Sequence, residues 1–85
     1  MMSSYYIIGV RMDNRIDNAV KFQEVLTKNG CMIKTRLGLH DIIDDDCAND
    51  GIIVLQPYGS KEDVEALVNE LNSLEGITAR YIDLN

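Results

Sequence analysis

Two stretches of this chain are apolar at consecutive positions: Tyr5-Tyr6-Ile7-Ile8 and Ile52-Ile53-Val54-Leu55. Neighbours on a β-strand point to opposite faces, so strands of this kind need cover on both sides and belong in the middle of a sheet. The rest of the chain offers only two amphipathic helical stripes. Two helices can cover one face of a sheet. An apolar second face must be buried by something else, most simply another copy of the chain. The length of 85 residues points the same way. A chain this size makes one domain, 1–85, that buries about 60–65% of its unfolded surface and gains from oligomerisation.

Periodicity and punctuation set the order of elements. Tyr5 to Met12 is a β-branched and aromatic run around Gly9, a buried strand. Asp13-Asn14 follow as a turn and helix-cap pair. Ile16, Ala19, Val20, Phe22, Val25 and Leu26 then recur at helical spacing, leaving Arg15, Asp17, Asn18, Lys21, Glu24 and Lys28 outside. Asn29-Gly30 suits a left-handed helix cap. Next, Ile33, Thr35, Leu37 and Leu39 alternate with Lys34, Arg36, Gly38 and His40, the pattern of a half-buried edge strand. Asp41 to Asp50 reads as an acidic loop closing on the turn dipeptide Asp50-Gly51. The second doubly apolar strand ends at Pro57, which has no N–H for a ladder. Ser60 with Asp63 forms a capping-box-like start to a second helix, whose stripe is Val64, Leu67, Val68, Leu71 and Leu74. Gly76 interrupts it, and Ile77 to Leu84 reads as the last strand.

The resulting order, strand-helix-strand-strand-helix-strand, predicts an α+β domain. Two strand-helix-strand units make a ferredoxin-like βαββαβ sandwich, with a four-stranded antiparallel sheet and both helices on one face. That topology puts the first and third strands in the centre, as their two-sided apolarity requires.

The net charge is -6 and unevenly placed. Residues 1–40 carry six basic and three acidic side chains, whereas 41–50 carry Asp41, Asp44, Asp45, Asp46 and Asp50 with no cation. Direct nucleic-acid binding needs a basic stripe that displaces counterions from phosphates, and none is present. No apolar run reaches the ~20 residues of a membrane span, and Met1-Met2-Ser3-Ser4-Tyr5 has no signal-peptide character. Two cysteines make no disulfide framework, so the expectation is a cytoplasmic protein with free thiols.

The element order, the turn Val10-Arg11-Met12-Asp13-Asn14 and the segment Leu74-Glu75-Gly76-Ile77 resemble ACT-type regulatory domains. More narrowly, Thr35-Arg36-Leu37-Gly38-Leu39-His40 followed by an acidic hairpin is similar to the iron-only hydrogenase system regulators. Those are stand-alone ACT-like folds related to the C-terminal domain of the nickel-responsive repressor. The resemblance implies a non-catalytic regulatory or ligand-sensing module that acts as a homo-oligomer, a dimer or tetramer, with a small-molecule effector or a partner protein. It also implies a link to iron-only hydrogenase regulation. Asn14-Arg15 replace the Pro-Gly-like pair of amino-acid-binding ACT turns, and the single histidine does not reproduce the repressor's metal site. A protein-interaction subunit without a small ligand is the alternative function.

Two places carry candidate chemistry. Met12, Asp13, Asn14 and Arg15 lie where the first strand meets the first helix, and free amides at a helix N-terminus can hold a ligand against a neighbouring subunit. His40 and Cys47, flanked by aspartates, offer imidazole, thiolate and carboxylate donors for zinc or nickel, the basis of a metal-responsive alternative. A solvated acidic loop accounts for the same residues, because strong metal motifs repeat Cys or His at short fixed spacings. An EF-hand does not fit: with Asp46 first, Ala48 falls on a ligand position and Pro57 replaces the closing Glu. Cys31 and Cys47 flank an extended strand and stand roughly 25 Å apart, beyond disulfide reach. Ser60 is accounted for as a cap, and one histidine leaves no nucleophile–base constellation. The sequence predicts no enzyme and names no cofactor.

Overall fold

The structure, a computed structural model, describes residues 5–13, 16–39 and 51–85, without the side chains of 16–19 and 38–39. The elements are β1 (Tyr6–Met12), α1 (Ile16–Lys28), a 3₁₀ turn (Gly30–Met32), β2 (Ile33–Leu39), β3 (Gly51–Pro57), α2 (Lys61–Asn72) and β4 (Ile77–Asp83). All strand pairs are antiparallel and the sheet order is β2-β3-β1-β4. The two doubly apolar strands therefore occupy the centre, and the ferredoxin-like α+β arrangement expected from the sequence is the one observed.

One face of the sheet meets both helices. Ile8 of β1, Leu55 of β3 and Ala79 of β4 pack with Phe22, Val25 and Leu26 of α1 and with Val64, Leu67 and Leu71 of α2 in a single core. Ile8, Leu55, Val64, Leu71 and Ala79 are wholly inaccessible. Each buried aliphatic side chain of Leu or Ile size contributes about 1.5–3 kcal/mol relative to exposure. The capping box at α2 is complete. The Asp63 N–H donates to Ser60 Oγ at 3.2 Å, and the Ser60 N–H donates to Asp63 Oδ2 at 3.1 Å. Gly59 precedes it with φ of 126°, and a Cβ there would stand 2.8 Å from Asp63 Oδ2.

The strand ends and helix ends are tied by hydrogen bonds. Asn72, at the end of α2, grips β4 from both sides of one residue: its Nδ2 donates to the Ala79 carbonyl at 3.0 Å, and its Oδ1 accepts from the Ala79 N–H at 2.8 Å. Lys28 of α1 forms an ion pair with Glu70 of α2, which Asn29 Nδ2 also approaches at 3.3 Å. Among the described residues, no helix is long and apolar enough to cross a membrane.

Four local expectations change. Asn29-Gly30 does not adopt a left-handed cap; Asn29 sits at φ -104° and the chain tightens into the 3₁₀ turn, with the Met32 N–H bonded to the Asn29 carbonyl. Val20 does not join the buried stripe but is exposed. At 100° per residue it lies on the opposite side of α1 from Phe22, Val25 and Leu26, so the core stripe is narrower than the count of apolar residues implies. Leu74 lies beyond α2, partly buried in the turn before β4. In β2, Ile33 and Leu37 do not share a face. Ile33 pairs with Pro57 and Thr35 with Gln56, so Lys34 is an extra residue, a bulge that reverses the alternation. Ile33 packs against the core, and Leu37 is turned to the opposite side, where it is exposed.

Candidate functional site

Among the described residues, the face of the sheet opposite the helices is left uncovered. Strand register fixes its composition. Leu37, Val54, Gly9 and Arg80 form one row across all four strands; Ile52, Arg11 and Thr78 form the next; Ile7 and Ile82 pair beyond Gly9. Ile52 is 51% exposed, Leu37 54% and Ile82 56%, while Ile7 and Val54 are half-buried by these neighbours. These exposed aliphatic side chains make the open face the candidate interaction surface of the domain. Its charges have one sign. Arg11 and Arg80 are exposed there, and among the described residues no acidic side chain occupies an open-face position.

Gly9 stands in the middle of this face, on a central strand. A glycine inside a strand weakens it by forgoing packing and losing entropy. Nothing among the described residues requires one here: a Cβ added at Gly9 would have no heavy atom within 4 Å, and the residue is not at positive φ. Gly9 therefore leaves a shallow notch in the open face.

Of the four residues expected at the β1–α1 turn, Met12 and Asp13 are described, while Asn14 and Arg15 lie outside the described residues. Met12 ends β1, paired with Gly51 and Ile77, and its side chain packs on the core. The Asp13 N–H donates to the Gly76 carbonyl at 2.8 Å, so that amide is engaged within the fold and fastens the turn to the start of β4. His40 and Cys47, and the acidic stretch between them, also lie outside the described residues. Cys31 is an exposed free thiol in the 3₁₀ turn. Among the described residues, no three His, Cys, Asp or Glu side chains converge in a way that could hold a metal ion.

A hollow of about 250 Å³ runs between α1 and the edge strand β2, lined by Gln23, Leu26, Thr27, Gly30, Ile33 and Arg36. Arg36 spans it, donating to Gln23 Oε1 at 2.9 Å with its guanidinium 5.7 Å from the Phe22 ring centre. On the same edge, the Lys34 ammonium of the bulge sits 5.2 Å from the Tyr58 ring centre. Both are cation–π contacts that hold long side chains against the rim. The shifted titrations lie at the helix side. The Glu70 carboxyl is held below its usual range, first by the hydrogen bond from Lys28, against a smaller opposing effect of burial. Tyr81 is pushed up to about 12, chiefly because its hydroxyl donates to Glu65 at 2.7 Å and ionising it would set two anions together. Asp83 is lowered by hydrogen bonds from Asn85. The Lys28–Glu70 pair ties α1 to α2, the Tyr81–Glu65 bond ties β4 to α2, and the Asp83–Asn85 bonds tie down the chain end.

The sequence pointed to the open face through the doubly apolar strands. It did not reveal Leu37, which the bulge delivers to that face, or the convergence of Arg11 and Arg80. Gly9 was visible as a glycine in a β-branched run, but only strand register shows which face it notches.

No family model matches the chain, and no curated protein sequence matches it. Among solved structures, the chain is similar to the uncharacterized protein TM1266 from Thermotoga maritima, with a TM-score of 0.82 and 21% sequence identity over 96% of this chain and 98% of that one. At that identity the likeness establishes a shared fold across the whole domain.

Proposed function

We propose that the protein is a non-catalytic, ACT-like regulatory or ligand-sensing module of the cytoplasm that works as a homo-oligomer through the open face of its sheet, in a system of the iron-only hydrogenase regulator type. The observation that carries the oligomer is the aliphatic surface of Ile7, Leu37, Ile52, Val54 and Ile82 with Gly9 at its centre. Among the described residues, no element lies over that surface, since both helices pack on the other side of the sheet. A ligand at the turn of Met12, Asp13, Asn14 and Arg15 would sit at the end of the same sheet, where a change in subunit contact converts binding into a signal.

The test is sedimentation of the wild type and of Gly9→Val. A valine suits a strand, and its Cβ would have no heavy atom of the described residues within 4 Å, so the fold and its thermal stability on dilution are retained or raised. Self-association weakens by about 10-fold or more, equal to ~1.4 kcal/mol, because the added methyls occupy the point of closest approach. A wild type that stays monomeric at every concentration, or a Gly9→Val that associates as well as wild type, refutes the oligomer. A thermal-shift panel of metabolites and metal ions tests the sensing role. Asn14→Ala with Arg15→Ala removes a response that arises at the turn and leaves one that arises at His40 and Cys47.

A further inference from the structure

We infer that the hollow between α1 and β2 binds a small organic carboxylate, whose anionic group is held by the Arg36 guanidinium and whose short hydrocarbon body lies along Leu26 and Ile33. The lining residues belong neither to the open face nor to the β1–α1 turn, so this site goes beyond the reading above and does not depend on it.

Charge supplies the first argument. Arg36 donates to Gln23 Oε1 at 2.9 Å and stands 5.7 Å from the Phe22 ring centre. Both partners are neutral, and among the described residues no carboxylate forms an ion pair with it. Lys28, at the end of the same helix, shows the contrast, since Glu70 matches its ammonium. On the same strand, the Lys34 ammonium also rests on a neutral ring, that of Tyr58. This edge therefore presents two cations with no counterion among the described residues. The net charge of -6 gives anions no general attraction to the molecule, so what holds one here is local. A guanidinium carries five N–H donors in one plane, and the bond to Gln23 uses one of them. Enough remain to meet both oxygens of a carboxylate.

The arrangement of the lining supplies the second, because it gives the hollow two unlike ends. Arg36 lies beside Phe22 and Gln23, within the body of α1, whereas Gly30 and Ile33 lie past its last residue, Lys28. The carbonyl end of a helix disfavours an anion. The carboxylate therefore belongs at the Arg36 end, with its carbon tail running toward Gly30. Along that path Leu26 is part of the core and Ile33 packs against it, and the two supply an apolar floor. Thr27 follows Gln23 by one helical turn, and neither the Thr27 hydroxyl nor the Gln23 amide N–H groups make a hydrogen bond among the described residues. They are donors left for the oxygens of the ligand.

Size supplies the third. At ~30 Å³ for each water-sized unit, a hollow of about 250 Å³ holds about eight non-hydrogen atoms. A carboxylate group takes three, which leaves room for about four or five more carbons. Nucleotides and sugar phosphates are too large. Inorganic phosphate would meet the charge of Arg36 and leave the floor of Leu26 and Ile33 in water, whereas a short-chain carboxylate satisfies both.

The experiment is a titration of the full, isotope-labelled chain with pentanoate, read residue by residue in amide nuclear magnetic resonance spectra. Saturable shifts are expected at Gln23, Thr27 and Gly30. Pentanamide keeps the shape and lacks the charge, and phosphate keeps the charge and lacks the tail; each should bind about 10-fold or more weakly. Arg36→Gln should weaken pentanoate binding by a similar factor, with circular dichroism verifying the fold, while Arg11→Gln with Arg80→Gln leaves it unchanged. Should Arg36→Gln disturb the edge strand, Arg36→Lys keeps the charge, loses the planar fork and must still weaken binding. Absence of saturable shifts overturns the site, as does an Arg36→Gln that binds pentanoate like wild type. Phosphate binding as tightly as pentanoate leaves a bare anion contact and overturns the carboxylate ligand. Shifts gathered at Met12 and Asp13 instead assign the ligand to the β1–α1 turn, which refutes the hollow and supports the sensing role at the turn.

Discussion

Ile52 and Ile53 are adjacent on β3, chemically identical, and on opposite faces of the sheet. Ile53 is 8% exposed against the helices, and Ile52 is 51% exposed on the open face. Truncating each to alanine therefore measures the two faces with one perturbation. Ile53→Ala removes three buried carbons and leaves a cavity, a loss of about 2–5 kcal/mol. For 85 residues at ~0.05–0.15 kcal/mol per residue, the whole stability is only about 4–13 kcal/mol. A loss near 3 kcal/mol lowers the thermal midpoint by roughly 12–24 °C in a domain of this size. In a lone chain Ile52→Ala forfeits about half of a side chain's transfer energy and creates no cavity, ~1 kcal/mol. In a face-to-face dimer the same residue is enclosed, and its loss approaches that of Ile53. The assay is urea unfolding of wild type and both variants at two protein concentrations about 100-fold apart, across which a dimer gains ~2.7 kcal/mol. The expected pattern is an Ile53→Ala deficit that is equal at both concentrations and an Ile52→Ala deficit that grows with concentration. An Ile52→Ala deficit that is small and independent of concentration refutes the covered face. An Ile53→Ala variant no less stable than Ile52→Ala refutes the assignment of faces itself.

Three further outcomes follow from the fastenings of the fold. Asn72→Ala removes both hydrogen bonds to Ala79 and leaves its buried backbone short of partners; thermal melts should show a loss of about 1–3 kcal/mol, and hydrogen exchange should rise in β4 first. Ser60→Ala opens the capping box at a loss of about 1 kcal/mol, whereas Gly59→Ala adds a Cβ at φ 126° against Asp63 and should lose about 1–3 kcal/mol; a neutral Gly59→Ala in denaturant titration contradicts the strained turn. Glu70 has its carboxyl lowered in the folded chain, so its contribution is present above the ordinary carboxylate range and disappears as pH falls through the folded value. Tyr81 is the opposite case, raised to about 12, with a contribution kept below the ordinary tyrosine range and lost as pH rises through that value. Stability profiles of Glu70→Gln and Tyr81→Phe should lose the acid and alkaline limbs respectively, and an unchanged acid limb in Glu70→Gln refutes the role of the Lys28–Glu70 pair.

Element order was legible because it depends on local periodicity and punctuation. Consecutive apolar residues at Tyr6–Ile8 and Ile52–Leu55 can be satisfied only in central strands, the stripe of α2 repeats at helical spacing, and Ser60 with Asp63 marks a helix start whatever surrounds it. Those features carried the chain to its α+β sandwich and to an uncovered second face. The composition of that face was another matter. It depends on register between strands far apart in sequence, and register is set by where pairing slips. One extra residue at Lys34 takes Ile33 to the core and Leu37 to the open side, a reversal that a period of two cannot register. Arg11 and Arg80 come within two rows of each other only because β4 pairs with β1, and Gly9 becomes a notch rather than a weak point only when the space above it is known. Val20 and Asn29 were decided in the same way, by how α1 rolls on the sheet and how tightly the chain must turn into β2. Local pattern determined which elements this chain forms, since each is specified by residues a few positions apart. Tertiary pairing decided what those elements present to a partner, because the neighbours on a sheet face are supplied by other strands.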